Sequence, residues 1–125
     1  MKITIDTKLQ TWNEIINQNR RNKYMANKIK QDEMSIIAYY LLSVPKIEKY
    51  PIKIICKWHV KNINSDLDNK SIKAVLDIMQ KMEILENDNI KHITGIEYQA
   101  IKDNKDYLEM EIIEAESWIF LPFMV

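Results

Sequence analysis

Three aspartates between residues 66 and 88 have the side chains and the spacing of a metal site. Asp66 and Asp68 are two residues apart in a polar segment, so in extended backbone their carboxylates point to the same side. Asp88 follows twenty residues after Asp68 and could bring a third carboxylate to the same cluster. Carboxylate oxygens are hard ligands that suit Mg²⁺ or Mn²⁺ better than zinc. The spacing therefore predicts a divalent-cation site, although an isolated Asp-X-Asp segment is more often a turn or a helix cap.

Lys73 gives these acids a positive partner. Three clustered carboxylates repel one another unless a cation or a lysine neutralises them. Lys73 lies on the flank of an apolar helical stripe, one turn from the expected helix start, where it could reach the carboxylates or a bound phosphate. Its i, i+4 spacing to Asp77 also fits an ordinary surface ion pair.

The other reactive residue types point to structural roles. Neither His59 nor His92 has a second histidine or a cysteine at metal-binding spacing, and Cys56 lies on the apolar face of an expected strand. Gly95 is the single glycine, so the chain has no glycine-rich phosphate loop. We therefore expect a core cysteine and two structural histidines.

The elements that must position these residues follow from hydrophobic periodicity, which predicts an α+β domain with helices packed on a small mixed or antiparallel sheet. Ile3 and Ile5 alternate with polar residues as in a first strand, and residues 52–60 alternate over a longer one. Residues 93–102 and 107–113 predict a hairpin joined by a polar turn.

Apolar residues recur at helical spacing in two regions of the sequence. Residues 10–43 contain neither proline nor glycine and predict two helices with a basic connection. A third helix is expected from Lys70 to about Met82, with Asp68 or Asn69 capping its start.

Length and composition fit one domain over residues 1–125, with 46% hydrophobic and 29% charged residues, which is a globular rather than a disordered balance. No apolar run approaches the roughly 20 residues that span a bilayer, and no signal-peptide pattern is recognisable. A single cysteine cannot form an internal disulfide. These observations predict a cytoplasmic protein.

Charge is distributed unevenly although the net charge is zero. Residues 1–30 carry seven Lys/Arg against two acids, and residues 66–125 carry six against thirteen. A basic surface could bind the phosphates of DNA while an acidic surface holds metal ions, although a dipolar surface without function would give the same pattern. The candidate DNA-binding residues are Arg20, Arg21, Lys23, Lys28, Lys30 and Lys70.

The segment from residue 65 to residue 93 resembles a known enzyme family. Asp66-Leu67-Asp68-Asn69, a lysine in the next helical turn, Asp77 on the helix and Asn87-Asp88 after it are similar to the motif of RusA-type Holliday-junction resolvases. The resemblance covers roughly residues 52–113. Two positions depart from the family pattern: Ile72 stands where the lysine usually falls, so that Lys73 matches only with a one-residue insertion, and Asn87 replaces the first of two acids.

The resemblance implies a magnesium-dependent endonuclease, with Mn²⁺ as a possible substitute, that resolves four-way DNA junctions as a homodimer. Asp66, Asp68 and Asp88 would be the catalytic, metal-binding carboxylates and Lys73 the catalytic lysine. Asn69 and Asp77 would support the loop and the helix start. The apolar residues 118–124 could form the dimer interface, or equally could close the chain's own core.

Two other readings remain open. The same carboxylates would serve a nuclease that cuts other branched DNA, such as flaps. Alternatively, the altered motif could mark a catalytically weakened module that binds DNA or a regulatory protein partner. The Lys-, Ile- and Asn-rich composition suggests an AT-rich genome, and small resolvases of this type are common in prophages.

Overall fold

The helices and strands lie close to the positions that hydrophobic periodicity predicts, and the α+β class is confirmed. The structure is a computed structural model and describes residues 1–115. The elements in chain order are β1 (Lys2–Ile5), α1 (Trp12–Arg21), α2 (Lys23–Leu41), β2 (Ile52–Val60), a 3₁₀ turn (Leu67–Asn69), α3 (Lys73–Lys81), β3 (Ile93–Lys102) and β4 (Tyr107–Glu114). None of the helices within this range is long and apolar enough to cross a membrane.

The four strands form one mixed sheet in the order β1-β4-β2-β3. Strand β2 runs parallel to β3 and antiparallel to β4, and β1 pairs antiparallel with β4. The predicted hairpin is therefore wrong, because β3 and β4 lie on either side of β2. The polar turn at residues 103–106 reverses the chain as expected, but it crosses the end of β2, where the N–H of Asp103 donates to the Val60 carbonyl at 2.9 Å.

The core lies between one face of this sheet and the helices. Alternate residues of β2, beginning with Ile52 and Ile54, are buried, and α2 and α3 contribute Ile37 and Met79 to the same cluster. Cys56 is 0% exposed in this core, as predicted. Its burial raises the pKa of the thiol from 9.0 to about 12, so the thiol stays protonated at neutral pH.

The start of α3 differs from the prediction. The helix begins at Lys73 after the 3₁₀ turn, its N-cap is Ile72, and neither Asp68 nor Asn69 caps it. The hydroxyl of Ser71 accepts the Lys73 N–H at 3.2 Å instead. Asn69 is used elsewhere, since its side-chain oxygen accepts the N–H of Asn13 in the first turn of α1 at 3.1 Å.

Helix α1 packs loosely for an amphipathic helix. Its N-cap Thr11 accepts the Glu14 N–H at 3.3 Å, and the junction with α2 is capped by the side chain of Asn22. None of the residues of α1 is buried, and Trp12 remains 40% exposed. Trp12 and Ile15 of α1 line a cavity that α1 forms with α2 and the start of α3.

Candidate functional site

Asp66 lies in a polar cleft at the C-terminal end of β2. The cleft has a volume of about 410 Å³ and is formed by the β1–α1 connection with the start of α1, the loop after β2 and the β3–β4 turn. Its lining residues are Lys8, Thr11, Glu14, Lys61, Asn62, Ser65, Asp66, Asn69, Lys70 and Asp106. Among the described residues, three lysines and three acids thus share one cleft, which is a suitable arrangement for an anion bound together with a cation.

Hydrogen bonds join the three walls of this cleft. The Lys61 N–H donates to Oδ1 of Asp106 at 3.0 Å, which ties the loop after β2 to the β3–β4 turn. Asn69 joins the same loop to α1 through Asn13, and its own N–H donates to the Asp66 carbonyl at 3.2 Å. The backbone around Asp66 is therefore held on both sides.

The motif has lysines at both position 70 and position 73, and the sequence leaves open which of them is the functional one. Lys70 lines the cleft and Lys73 does not. The Nζ of Lys70 lies 6.0 Å from the centre of the Trp58 ring, where a cation–π contact holds the ammonium near the wall of the cleft. Lys73 is exposed, and its Nζ lies 4.0 Å from Oδ2 of Asp77, which is the surface pair that their spacing predicts. This geometry favours Lys70 as the lysine that contacts a ligand beside Asp66.

Asp88 lies at the opposite end of β2 from Asp66. Two hydrogen bonds hold the segment around Asp88 beside the start of β2. The N–H of Glu86 donates to the Tyr50 hydroxyl at 2.9 Å, and the N–H of Ile52 donates to the His92 carbonyl at 2.8 Å. Strand β2 has nine residues, so its two ends are roughly 26 Å apart.

The parallel pairing of β2 with β3 explains this separation. A connection between parallel strands must return to the end of the sheet where the first strand began. Asp66 follows the end of β2 and Asp88 precedes the start of β3, so the crossover through α3 separates them. Within one chain the structure does not bring Asp88 to Asp66 and Asp68, and residues 1–115 contain no group of three or more His, Cys, Asp or Glu side chains placed to hold a metal.

Asp68 is exposed on the 3₁₀ turn, two residues from Asp66. Asp66 lines the cleft, but Asp68 is not among its lining residues. The prediction that both carboxylates point to the same side assumed extended backbone, and the 3₁₀ turn does not provide it. Carboxylate oxygens are suitable ligands for Mg²⁺, which commonly binds one or two carboxylates and keeps several water ligands. Within one chain, Asp88 cannot share a metal with Asp66 and Asp68, because it lies at the other end of β2; metal binding by these acids otherwise stays a prediction.

The predicted basic cluster lies on the surface of the two N-terminal helices. Arg20 and Arg21 end α1, and Lys23, Lys28 and Lys30 follow on α2; all five are exposed. Lys30 also lines a second cavity, beneath α1, together with Lys73 and Asp77. The position of these side chains is compatible with contacts to phosphates, and DNA binding by them stays a prediction.

Several residues of the cleft could not be predicted from the sequence. Lys8, Glu14, Lys61 and Asp106 come from three separate segments and carry no motif, and only the sheet order brings them around Asp66. The apolar residues 118–124, which include Trp118, lie outside the described residues.

His59 forms a second polar cluster beside the cleft. Its Nδ1 lies 2.9 Å from Oδ2 of Asp103, its Nε2 contacts Oε1 of Glu109, and its ring stacks on Tyr107 with centroids 4.0 Å apart. The N–H of Asn104 and the His59 ring both bond to the Asp103 carboxylate and lower its pKa. The cluster holds the β3–β4 turn against the end of β2, which is a structural role.

No protein-family model and no curated protein sequence matches this chain.

Proposed function

We propose that this chain is a Mg²⁺-dependent endonuclease for branched DNA, with four-way junctions as the principal substrate, and that it acts as a homodimer. The observation that carries the proposal is the cleft in which Asp66 lies among Lys8, Lys61 and Lys70. The motif around Asp66 supports the same activity through its resemblance to the motif of RusA-type resolvases.

The cleft contains groups suited to phosphodiester hydrolysis. The three lysines would bind the phosphate and offset the negative charge that increases in the transition state. Asn69 would hold the Asp66 backbone in place through its bond to α1. A divalent cation at the carboxylates would supply an activated water and neutralise charge at the phosphate.

A shared site explains how Asp88 could take part. Because Asp66 and Asp88 lie at opposite ends of β2, a cluster of all three acids requires Asp88 from a second copy. A two-fold dimer would then contain two equal sites, as two matched nicks in a two-fold symmetric junction demand. Ile63 and Ile90 are each 74% exposed and lie three residues before Asp66 and two after Asp88, where such an interface would form.

The first experiment is Mg²⁺-dependent nicking of a synthetic four-way junction. We expect paired nicks across the junction from the purified chain and none when EDTA replaces Mg²⁺. Equal cutting of flaps and junctions would instead favour a general branched-DNA nuclease. Junction binding without any nicking would contradict the endonuclease and favour a DNA-binding module.

Mixing two inactive variants tests the shared site. Asp66→Asn and Asp88→Asn should each abolish nicking, with Asp32→Asn on the outside of α2 as the control that remains active. In a mixed dimer, one site would carry both substitutions and the other would carry neither. We therefore expect single nicks to return when the variants are refolded together, and a mixture that stays inactive would contradict sharing.

A further inference from the structure

His59 lies near the C-terminal end of β2 with a carboxylate at each of its ring nitrogens. Nδ1 lies 2.9 Å from Oδ2 of Asp103 on the β3–β4 turn, and Nε2 contacts Oε1 of Glu109 on β4. The histidine is only 8% exposed, and its ring stacks on Tyr107, its cross-strand partner on β4. Because the ring is buried, its nitrogens depend on these two carboxylates for hydrogen bonds.

This arrangement needs a second proton on the ring or beside it. A neutral imidazole has one N–H, and its other nitrogen carries a lone pair that would face a carboxylate oxygen. The imidazolium has two N–H groups and donates to both acids. Near neutral pH Asp103 does not supply the missing proton, because the Asn104 N–H and the His59 ring lower the pKa of its carboxylate. A proton on Glu109 would serve the same purpose, and the cluster would then hold the same number of protons.

Other charged and titratable side chains approach His59 from the elements around it. They are Lys57 and Lys61 on β2, Tyr107 and Glu109 on β4, Asp103, Lys105 and Asp106 on the β3–β4 turn, Lys8 before α1 and Lys70 before α3. Strand β3 contributes the apolar Ile101. Lys105 is engaged elsewhere, since its Nζ lies 2.9 Å from Oδ1 of Asp6. Within residues 1–115, the ring therefore bonds to the two acids and not to these cations.

The turn that His59 contacts forms one wall of the Asp66 cleft. The Asp103 N–H donates to the Val60 carbonyl at 2.9 Å, and Asp106 accepts the Lys61 N–H at 3.0 Å. Lys61 and Asp106 both line the cleft. These two bonds use backbone N–H groups that do not titrate, whereas the contacts of His59 depend on a ring proton. Histidine is the side chain whose charge ordinarily changes between roughly pH 5 and 8.

We propose that His59 is a pH-sensitive switch for the β3–β4 turn. With two N–H groups the ring bridges Asp103 and Glu109 and fixes the turn as a wall of the cleft. When one proton leaves to solvent, the bare nitrogen repels the carboxylate that it faces, and the turn loosens. The unfolded chain has neither carboxylate beside the ring, so the bridge stabilises the fold on the acidic side of the histidine range and this stabilisation is lost as the pH rises. The inference stands on the cluster alone and does not require the chain to cut DNA.

Amide hydrogen exchange of the full-length chain without DNA tests the switch. From about pH 5 to about pH 8, the protection factors of the Lys61 and Asp103 amides should fall roughly tenfold, as the loss of one charge-assisted hydrogen bond implies. The Ile52 amide, which bonds to the His92 carbonyl at the other end of β2, should keep its protection. In NMR spectra, the signals of the two turn amides should shift with the same midpoint as the His59 ring protons.

Two variants separate the proton from the packing. His59→Gln removes the titrating ring and should abolish the pH dependence of both amides, while His92→Gln, which removes the other histidine, should leave it unchanged. Glu109→Gln places beside the ring an amide that can donate or accept. A neutral His59 is then satisfied, and the turn should stay protected across the whole range.

Three results would overturn the switch. The first is a parent chain whose turn amides keep constant protection factors from acid to alkaline pH. The second is a pH dependence that persists in His59→Gln, and the third is one that persists in Glu109→Gln. If His59→Gln does not fold, Glu109→Gln decides by itself, because it keeps the ring and its stacking on Tyr107.

Discussion

The side-chain oxygen of Asn69 accepts the backbone N–H of Asn13 at 3.1 Å, although the two residues are 56 positions apart. The first turn of a helix has backbone N–H groups without partners inside the helix. Thr11 satisfies one of these groups in α1, and Asn69 satisfies another from the loop that carries Asp66. The position of α1 and the backbone beside Asp66 therefore depend on one another.

Removing this bond should loosen both elements. Asn69→Ala is expected to lower the free energy of unfolding by about 1 kcal/mol, the usual cost of losing a helix cap, and urea denaturation measures the change. Asn69→Asp keeps the acceptor oxygen and should retain most of the stability. If Asn69→Ala unfolds at the same urea concentration as the parent chain, the bond to α1 does not contribute.

Lys70 and Lys73 should differ in their effect on DNA binding. Lys70 lines the cleft with Asp66, whereas Lys73 pairs with Asp77 on the surface. We expect Lys70→Gln to weaken junction binding and to reduce the salt dependence of log K by about 0.9, the value for one phosphate contact. Lys73→Gln should change this slope less. Fluorescence anisotropy over a series of salt concentrations measures both, and an unchanged slope in Lys70→Gln would contradict its place at a phosphate.

The lowered pKa of Asp103 predicts a pH dependence of stability. Its carboxylate accepts the Asn104 N–H at 2.6 Å and bonds to His59, and both interactions favour the charged form. Because the pKa in the folded chain is below the ordinary 3.8, the unfolded chain binds the proton more readily. The stabilisation is therefore complete above that value and is lost as the pH falls through the folded pKa.

Asp103→Asn should accordingly unfold at lower urea than the parent chain near neutral pH, and the difference should shrink in acid below the ordinary pKa of an aspartate. Urea midpoints measured across this range give the comparison, with Asp32→Asn as the matched surface control. A difference that is constant at every pH would show that the charge of Asp103 is not responsible.

Cys56 should be unreactive in the folded chain. Its side chain is fully buried, and the raised pKa keeps it protonated, whereas thiol reagents attack the thiolate. A disulfide reagent at about pH 8 should therefore label it only after unfolding in urea. Rapid labelling without denaturant would contradict its place in the core.

Local patterns in the sequence predicted the positions of the helices and strands well. They could not predict the contacts between segments that are distant in the sequence. The apolar residues of β2, α2 and α3 recur with the period of a strand or a helix, because in each element the residues on one face are buried. A turn such as 103–106 fixes a reversal of direction but not which strand pairs with which, so the insertion of β2 between β3 and β4 had no local signal.

The same limit applies to the candidate site. The grouping of Asp66 with Asn69 and Lys70 follows from their closeness in sequence. The position of Asp88 depends on whether β2 and β3 are parallel, and that pairing is decided by the whole sheet rather than by residues 69–87, which separate Asp88 from Asp68.

The length of β2 has a consequence for the geometry of cutting. In the proposed dimer, each chain contributes Asp66 to one site and Asp88 to the other, so the two sites would be held about one strand length apart. That length is nine residues, or roughly 26 Å. The spacing of the two nicked phosphates on a junction would then be set by a rigid strand, and inserting two residues into β2 should displace one nick relative to the other.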